Sequence, residues 1–173
     1  MLKGSNIYLV GMMGSGKSVT GKKLATMLDC LFIDLDELIQ EKARRTIVEI
    51  FEKEGEEFFR DLESGALKEI SGLGPKVIAT GGGTVLRPDN VRRMRDTGKI
   101  CFLETSLEVL WERVKWKKDR PLLKQGDPKQ NLEKIFETRS PLYRKVSDFE
   151  VHTDDRTAQD VAQEIFEKLG KGI

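Results

Sequence analysis

Short apolar runs alternate along this chain with longer stretches whose apolar residues recur every three or four positions. Runs of four or five residues, rich in β-branched and aromatic side chains, predict buried strands at Ile7–Val10, Leu31–Asp34, Lys76–Thr80, Ile100–Glu104 and Phe149–His152. The intervening periodicity predicts helices at about 17–28, 36–44, 46–53, 56–71, 88–97, 106–117, 129–138, 140–146 and 157–169. Val19, Leu24 and Leu28 would form the inward stripe of the first helix; Phe58, Phe59, Leu62, Leu67 and Ile70 that of 56–71; Leu107, Leu110, Trp111 and Val114 that of 106–117. Val161, Ile165 and Leu169 do the same in the last helix, with Thr157 as its cap. Pro141, with Ser140 before it, reads as the start of a separate helix after a break. Strands spaced by helices are βαβ units. The expected fold is therefore α/β: three layers, a five-stranded parallel sheet flanked by helices, in one domain over residues 1–173. Ligands of such sheets gather at the carboxyl ends of the strands.

The residues just past each strand carry the chemistry. After the first, Gly11-Met12-Met13-Gly14-Ser15-Gly16-Lys17-Ser18 fits G-x-x-x-x-G-K-[ST], between a strand and a helix. Glycines let successive backbone N–H groups turn inward onto phosphate oxygens, and the helix N-terminus adds a favourable dipole. Lys17 would reach the β- and γ-phosphates, and the Ser18 hydroxyl would ligate Mg²⁺. After the second strand comes Asp34-Leu35-Asp36; extended alternation would set both carboxylates on one side, about 7 Å apart at Cα. One would hold a water of Mg²⁺ and the other accept a hydroxyl proton. Alternatively Asp36 merely caps the helix it opens.

Thr80 leads into Gly81-Gly82-Gly83, three glycines that suit a backbone lying close against a ligand, or a simple flexible turn. Arg60 and Glu63, three apart on a helix, are either a surface ion pair or a carboxylate-clamping arginine held by Glu63. Arg120 opens a segment, about 119–128, with the composition of a lid; the other reading is a solvated basic stretch. Arg139, just before the proline, is a second candidate clamp, and Arg156 sits where it would border a base.

Composition narrows the class. Thirty basic residues against 29 acidic ones leave a net charge of +1, which disfavours a nucleic-acid binder driven by bulk charge. No apolar run has membrane length and no leader pattern precedes the first strand, so a cytoplasmic protein without a membrane partner is expected. Cys30 and Cys101 read as buried free thiols, the single His152 as structural. No hydrophobic surface stripe calls for a dimer, and a monomer is the expectation.

Taken together, G-M-M-G-S-G-K-S, F-I-D-L-D, F-F-R-D-L-E, T-G-G-G, R-P-L-L and T-R-S-P-L-Y resemble the shikimate kinase family, within the nucleoside-monophosphate-kinase-like P-loop group, over nearly the whole chain. The resemblance implies ATP-dependent phosphorylation of the shikimate 3-hydroxyl, with Mg²⁺, in the pathway to chorismate and the aromatic amino acids. It implies ATP contacts from Gly14, Ser15, Gly16, Lys17, Ser18, Val19, Arg113, Arg120 and Arg156, and Mg²⁺ held by Ser18 and, through water, Asp34. It makes Lys17, Asp36 and Arg120 catalytic. Asp36, Arg60, Gly81, Gly82, Gly83 and Arg139 become the shikimate site, in an acceptor region of about 35–63 under a lid of about 114–128. Two features depart from the family. Val19 stands where a threonine is usual, and lysines with a tryptophan fill 115–118. A gluconate-type sugar-acid kinase and a nucleotide-binding regulatory module are the alternatives.

Overall fold

A computed structural model describes residues 5–72, 74–117, 121–123 and 126–171. Five parallel strands, β1 (Asn6–Val10), β2 (Leu31–Asp34), β3 (Lys76–Ala79), β4 (Gly98–Glu104) and β5 (Phe149–His152), lie in the order β2-β3-β1-β4-β5. Seven α-helices accompany them among the described residues: α1 (Lys17–Leu28), α2 (Leu35–Ala43), α3 (Ile47–Ser71), α4 (Pro88–Thr97), α5 (Leu107–Val114), α6 (Pro128–Val146) and α7 (Ala158–Gly170). None is long and apolar enough to cross a membrane.

The period of two in the strands explains the layers. In β1, Ile7 and Leu9 face one way, onto Leu24 and Ala25 of α1 and Val161, Ala162 and Ile165 of α7. Tyr8 and Val10 face the other, among residues of α3, α4, α5 and α6. Every residue of β1 is buried, as expected of a central strand covered on both faces. Register pairs Leu9 with Ala79 of β3 on one side and with Cys101 of β4 on the other. The chain thus steps to opposite sides of β1, and the crevice above its carboxyl end is the topological switch point. At the opposite end of the sheet, Asn6 ties the layers together. Its amide donates to the Ser71 carbonyl at 2.8 Å and accepts from the Lys76 N–H at 3.1 Å.

Several local expectations change. Pro141 lies inside one continuous helix, α6, and does not start a new one. Losing one i→i−4 bond at a proline is tolerated because Leu132, Arg139, Tyr143 and Val146 anchor the helix on both sides of it. The expected helices 46–53 and 56–71 are both present, as the two arms of α3 on either side of Gly55, whose φ of 85° and ψ of 174° interrupt the helix as expected. Asp34, not Asp36, is the cap of α2: its carboxylate accepts from the N–H groups of Asp36 and Glu37. Asp36 therefore stands in the first helical turn, and extended alternation does not relate the pair. Val19 and Phe58 are exposed and outside the inward stripes. Cys30 is only half-buried, while Cys101 is a buried free thiol as expected. His152 is exposed, its Nδ1 2.9 Å from a Glu104 oxygen.

Candidate active site

The phosphate loop leaves β1 at Gly11 and closes into α1 through Gly14 (φ 84°) and Gly16 (φ 90°). Both conformations fall in the left-handed region that side chains disfavour, which is why this turn takes glycine. The loop is internally braced: Ser15 N–H donates to the Met12 carbonyl at 3.2 Å, and Lys17 Nζ donates to the Gly11 and Met12 carbonyls at 2.9 and 2.8 Å. Ser18 Oγ donates to Asp34 Oδ2 at 2.5 Å, while Asp34 Oδ1 caps α2. Two hard oxygen donors so joined, one neutral and one anionic, fit a magnesium ion at the mouth of a phosphate cradle.

A cleft of about 450 Å³ opens from this loop toward α3 and α6. Gly14, Gly16, Lys17, Ser18, Val19, Asp34 and Arg113 line it together with Asp36, Arg60, Gly81, Gly82, Gly83 and Arg139. Arg113 donates to the Gly14 carbonyl at 3.1 Å. The Ser15 side chain is not among those lining the cleft: it is 1% exposed, its hydroxyl buried close to Gly11. Arg156 does not line the cleft either. Its guanidinium bonds Glu164 at 2.6 Å and the His152 and Asp160 carbonyls, bracing the start of α7. Arg120 lies outside the described residues.

Arg60 and Arg139 are charged side chains only 6% and 7% exposed. Arg60 is held by α3 itself, with Nη1 3.1 Å from Glu63 Oε2 and Nη2 3.0 Å from Glu56 Oε1. Burial alone would lower the guanidinium's proton affinity, but Glu63 and Glu56 outweigh it and the group stays charged. Glu63 is fully buried, and its second oxygen accepts from Thr84 Oγ1 at 2.7 Å. The glycine turn fits this assembly closely. A Cβ on Gly81 would fall 2.3 Å from Glu63 Oε1 and 2.9 Å from Asp36 Oδ1; one on Gly83 would fall 2.3 Å from Arg60 Cζ. The glycines let backbone approach these charged groups, the reading that close approach to a ligand also requires.

An apolar wall completes the cleft: Ile47, Phe51 and Phe59 from α3, with Pro121 and Leu122. The two phenyl rings lie 5.0 Å apart. These residues carry no chemical signal in the sequence, because at helical spacing they look like ordinary core. Pro121 and Leu122 belong to the segment read as a lid.

A family model described as shikimate kinase matches residues 13–170. A shikimate kinase of Caldanaerobacter subterraneus is 44% identical over 160 residues, 92% of this chain and 93% of that protein. The shikimate kinase of Acinetobacter baumannii in complex with shikimate superposes with a TM-score of 0.94 at 38% identity, over 98% of this chain and 94% of the other. A gluconokinase of Sinorhizobium meliloti 1021 reaches a TM-score of 0.65 at 18% identity, covering 96% and 92% of the two chains, a likeness of fold alone.

Proposed function

This chain belongs to the shikimate kinase family, and we propose that its cleft passes the γ-phosphoryl group of ATP in line to the 3-hydroxyl of shikimate. It is an ATP-dependent kinase of shikimate, a transferase of aromatic amino acid biosynthesis. The observation that carries the proposed division of labour is that one cleft is lined by the phosphate loop and by Asp36 and two buried arginines, Arg60 and Arg139.

The chemistry calls for positioning and charge neutralisation more than for covalent help. Loop amides from Gly14 to Ser18 and the Lys17 ammonium hold the β- and γ-phosphates, Arg113 and Val19 border the nucleotide, and Arg120, in the lid segment of about 114–128, is the further cation for the transferring phosphoryl group. Ser18 and, through water, Asp34 would hold Mg²⁺, which when bound would neutralise charge on the phosphate oxygens. Arg60 and Arg139 grip the shikimate carboxylate, and Gly81 to Gly83 bring backbone against the rest of the molecule. Asp36 orients the 3-hydroxyl and takes its proton as the new oxygen–phosphorus bond forms and the bond to the departing ADP breaks. The apolar wall of Phe51, Phe59 and Leu122 suits one face of a carbocycle, whereas an acyclic sugar acid would press hydroxyls against it at a desolvation cost. The charge balance and the sequence support a cytoplasmic monomer, in one domain, working on small molecules without nucleic acid or membrane.

ADP release measured with shikimate, with gluconate and with no acceptor tests this. Turnover that requires shikimate is expected. Equal turnover with gluconate, or ATP binding without any acceptor-dependent turnover, would overturn it.

A further inference from the structure

Tyr143 lies on α6 four residues beyond Arg139, fully buried, and the phosphoryl transfer to shikimate makes no direct use of it. Its hydroxyl donates to the Gly82 carbonyl at 2.5 Å and lies 3.8 Å from Met12 Sδ. Its ring packs on Phe102 of β4, centroids 5.4 Å apart. A Cβ on Gly82 would meet three different parts of the site at almost one distance: Tyr143 Oη at 3.5 Å, Arg139 Nη1 at 3.7 Å and the Gly11 carbonyl at 3.7 Å. Gly82 is thus where the glycine turn, the phosphate loop and α6 meet.

No peptide bond among the described residues is cis. In a trans peptide the carbonyl and the following N–H point in opposite directions. Drawing the Gly82 carbonyl toward Tyr143 of α6 therefore turns the Gly83 N–H away from that hydroxyl. We infer that Tyr143 is a positioning residue of the acceptor site: its hydroxyl fixes the Gly82–Gly83 peptide, so that the Gly83 N–H and the Arg139 guanidinium meet shikimate in one orientation. Burial pushes the Tyr143 hydroxyl up to about 12, with the adjoining Arg139 opposing, so it stays a protonated donor through the working pH range. The inference rests on the shikimate kinase reading of the cleft.

A tyrosine that served packing alone would give a different result from one that positions the turn. Tyr143→Phe keeps the ring and removes the donor, leaving the Gly82 carbonyl unpaired. The expected result is a rise of about five- to thirtyfold in the KM for shikimate, the scale of an orphaned acceptor, with the KM for ATP within about twofold of wild type. Wild-type turnover of shikimate together with an unchanged shikimate KM in the variant, or equal losses for both substrates, would overturn the inference alone. A wild-type protein that neither binds nor phosphorylates shikimate would overturn the functional reading and the inference with it. Should the variant not fold, the hydroxyl proton of Tyr143 in wild-type protein decides by NMR. A resonance shifted by shikimate but not by ADP supports positioning, and one unmoved by shikimate contradicts it.

Discussion

Replacing Arg60 by alanine separates what this guanidinium does for the fold from what it does for the acceptor. Arg60 and Glu63 are 6% and 0% exposed, so solvent screens their interaction little. Removing the cation leaves Glu63 as a buried charge with only Thr84 as a hydroxyl donor. Breaking a buried pair in this way costs about 3–5 kcal/mol, against about 0–1 kcal/mol for an exposed pair. For a chain of this size each kcal/mol lowers Tm by about 2–4 °C, so a fall of roughly 6–20 °C is expected by differential scanning fluorimetry. On the proposed role of Arg60 the same substitution should also remove half of the carboxylate clamp, a loss of about 2–5 kcal/mol in acceptor binding, or a shikimate KM raised some thirtyfold or more. Adding Glu63→Gln should then recover much of the lost Tm, because glutamine is neutral where glutamate was an orphaned anion. It should not recover KM, because the missing group is a cation. Unchanged Tm and KM in Arg60→Ala would refute the buried clamp. Recovery of KM in the double variant would show that charge at position 63, not the Arg60 fork, governs the acceptor.

Three further outcomes rest on the same geometry. Asp36→Asn should cut kcat by about 10²–10⁴ while ADP still binds in a titration, and near-normal turnover would remove Asp36 as proton acceptor. Gly83→Ala leaves the backbone unstrained, since φ is −99° there, but its Cβ displaces the Arg60 guanidinium from Glu63, so it should lower Tm and raise the shikimate KM together; an unchanged KM would place Arg60 away from the acceptor. The Tyr143 hydroxyl, raised from 10.0 to about 12 chiefly by burial, favours the folded state fully below pH 10, and that contribution is lost as pH rises from 10 to about 12. The gap corresponds to roughly 3 kcal/mol, so Tyr143→Phe should flatten the alkaline fall of stability in denaturant melts, and a slope equal to wild type would contradict it.

The phosphate loop was legible in the sequence because its function constrains residue type at each step: glycine for φ, lysine for charge, serine for a hard oxygen. The alternating runs likewise predicted the parallel sheet that the fold displays. The carboxylates were legible as chemistry but not as geometry, since capping by Asp34 turns the chain into α2 before Asp36 is reached. Pro141 misled for a related reason: local preference favours a break, and buried anchors before and after it override that preference. Ile47 and Phe51 were invisible because a cleft wall and a core stripe have the same helical spacing. Arg156 shows the converse. A basic residue after a strand satisfies a positional argument for base contact, and the structure gives it to Glu164 and the helix entrance.

A crystal structure with ADP, Mg²⁺ and shikimate bound would test most directly the claim that phosphate cradle, base and carboxylate clamp share one cleft. The account predicts the shikimate carboxylate between Arg60 and Arg139, with its 3-hydroxyl at hydrogen-bond distance from Asp36 and facing the end of the diphosphate. Shikimate bound with its carboxylate away from both arginines, or its 3-hydroxyl out of reach of Asp36, would contradict it.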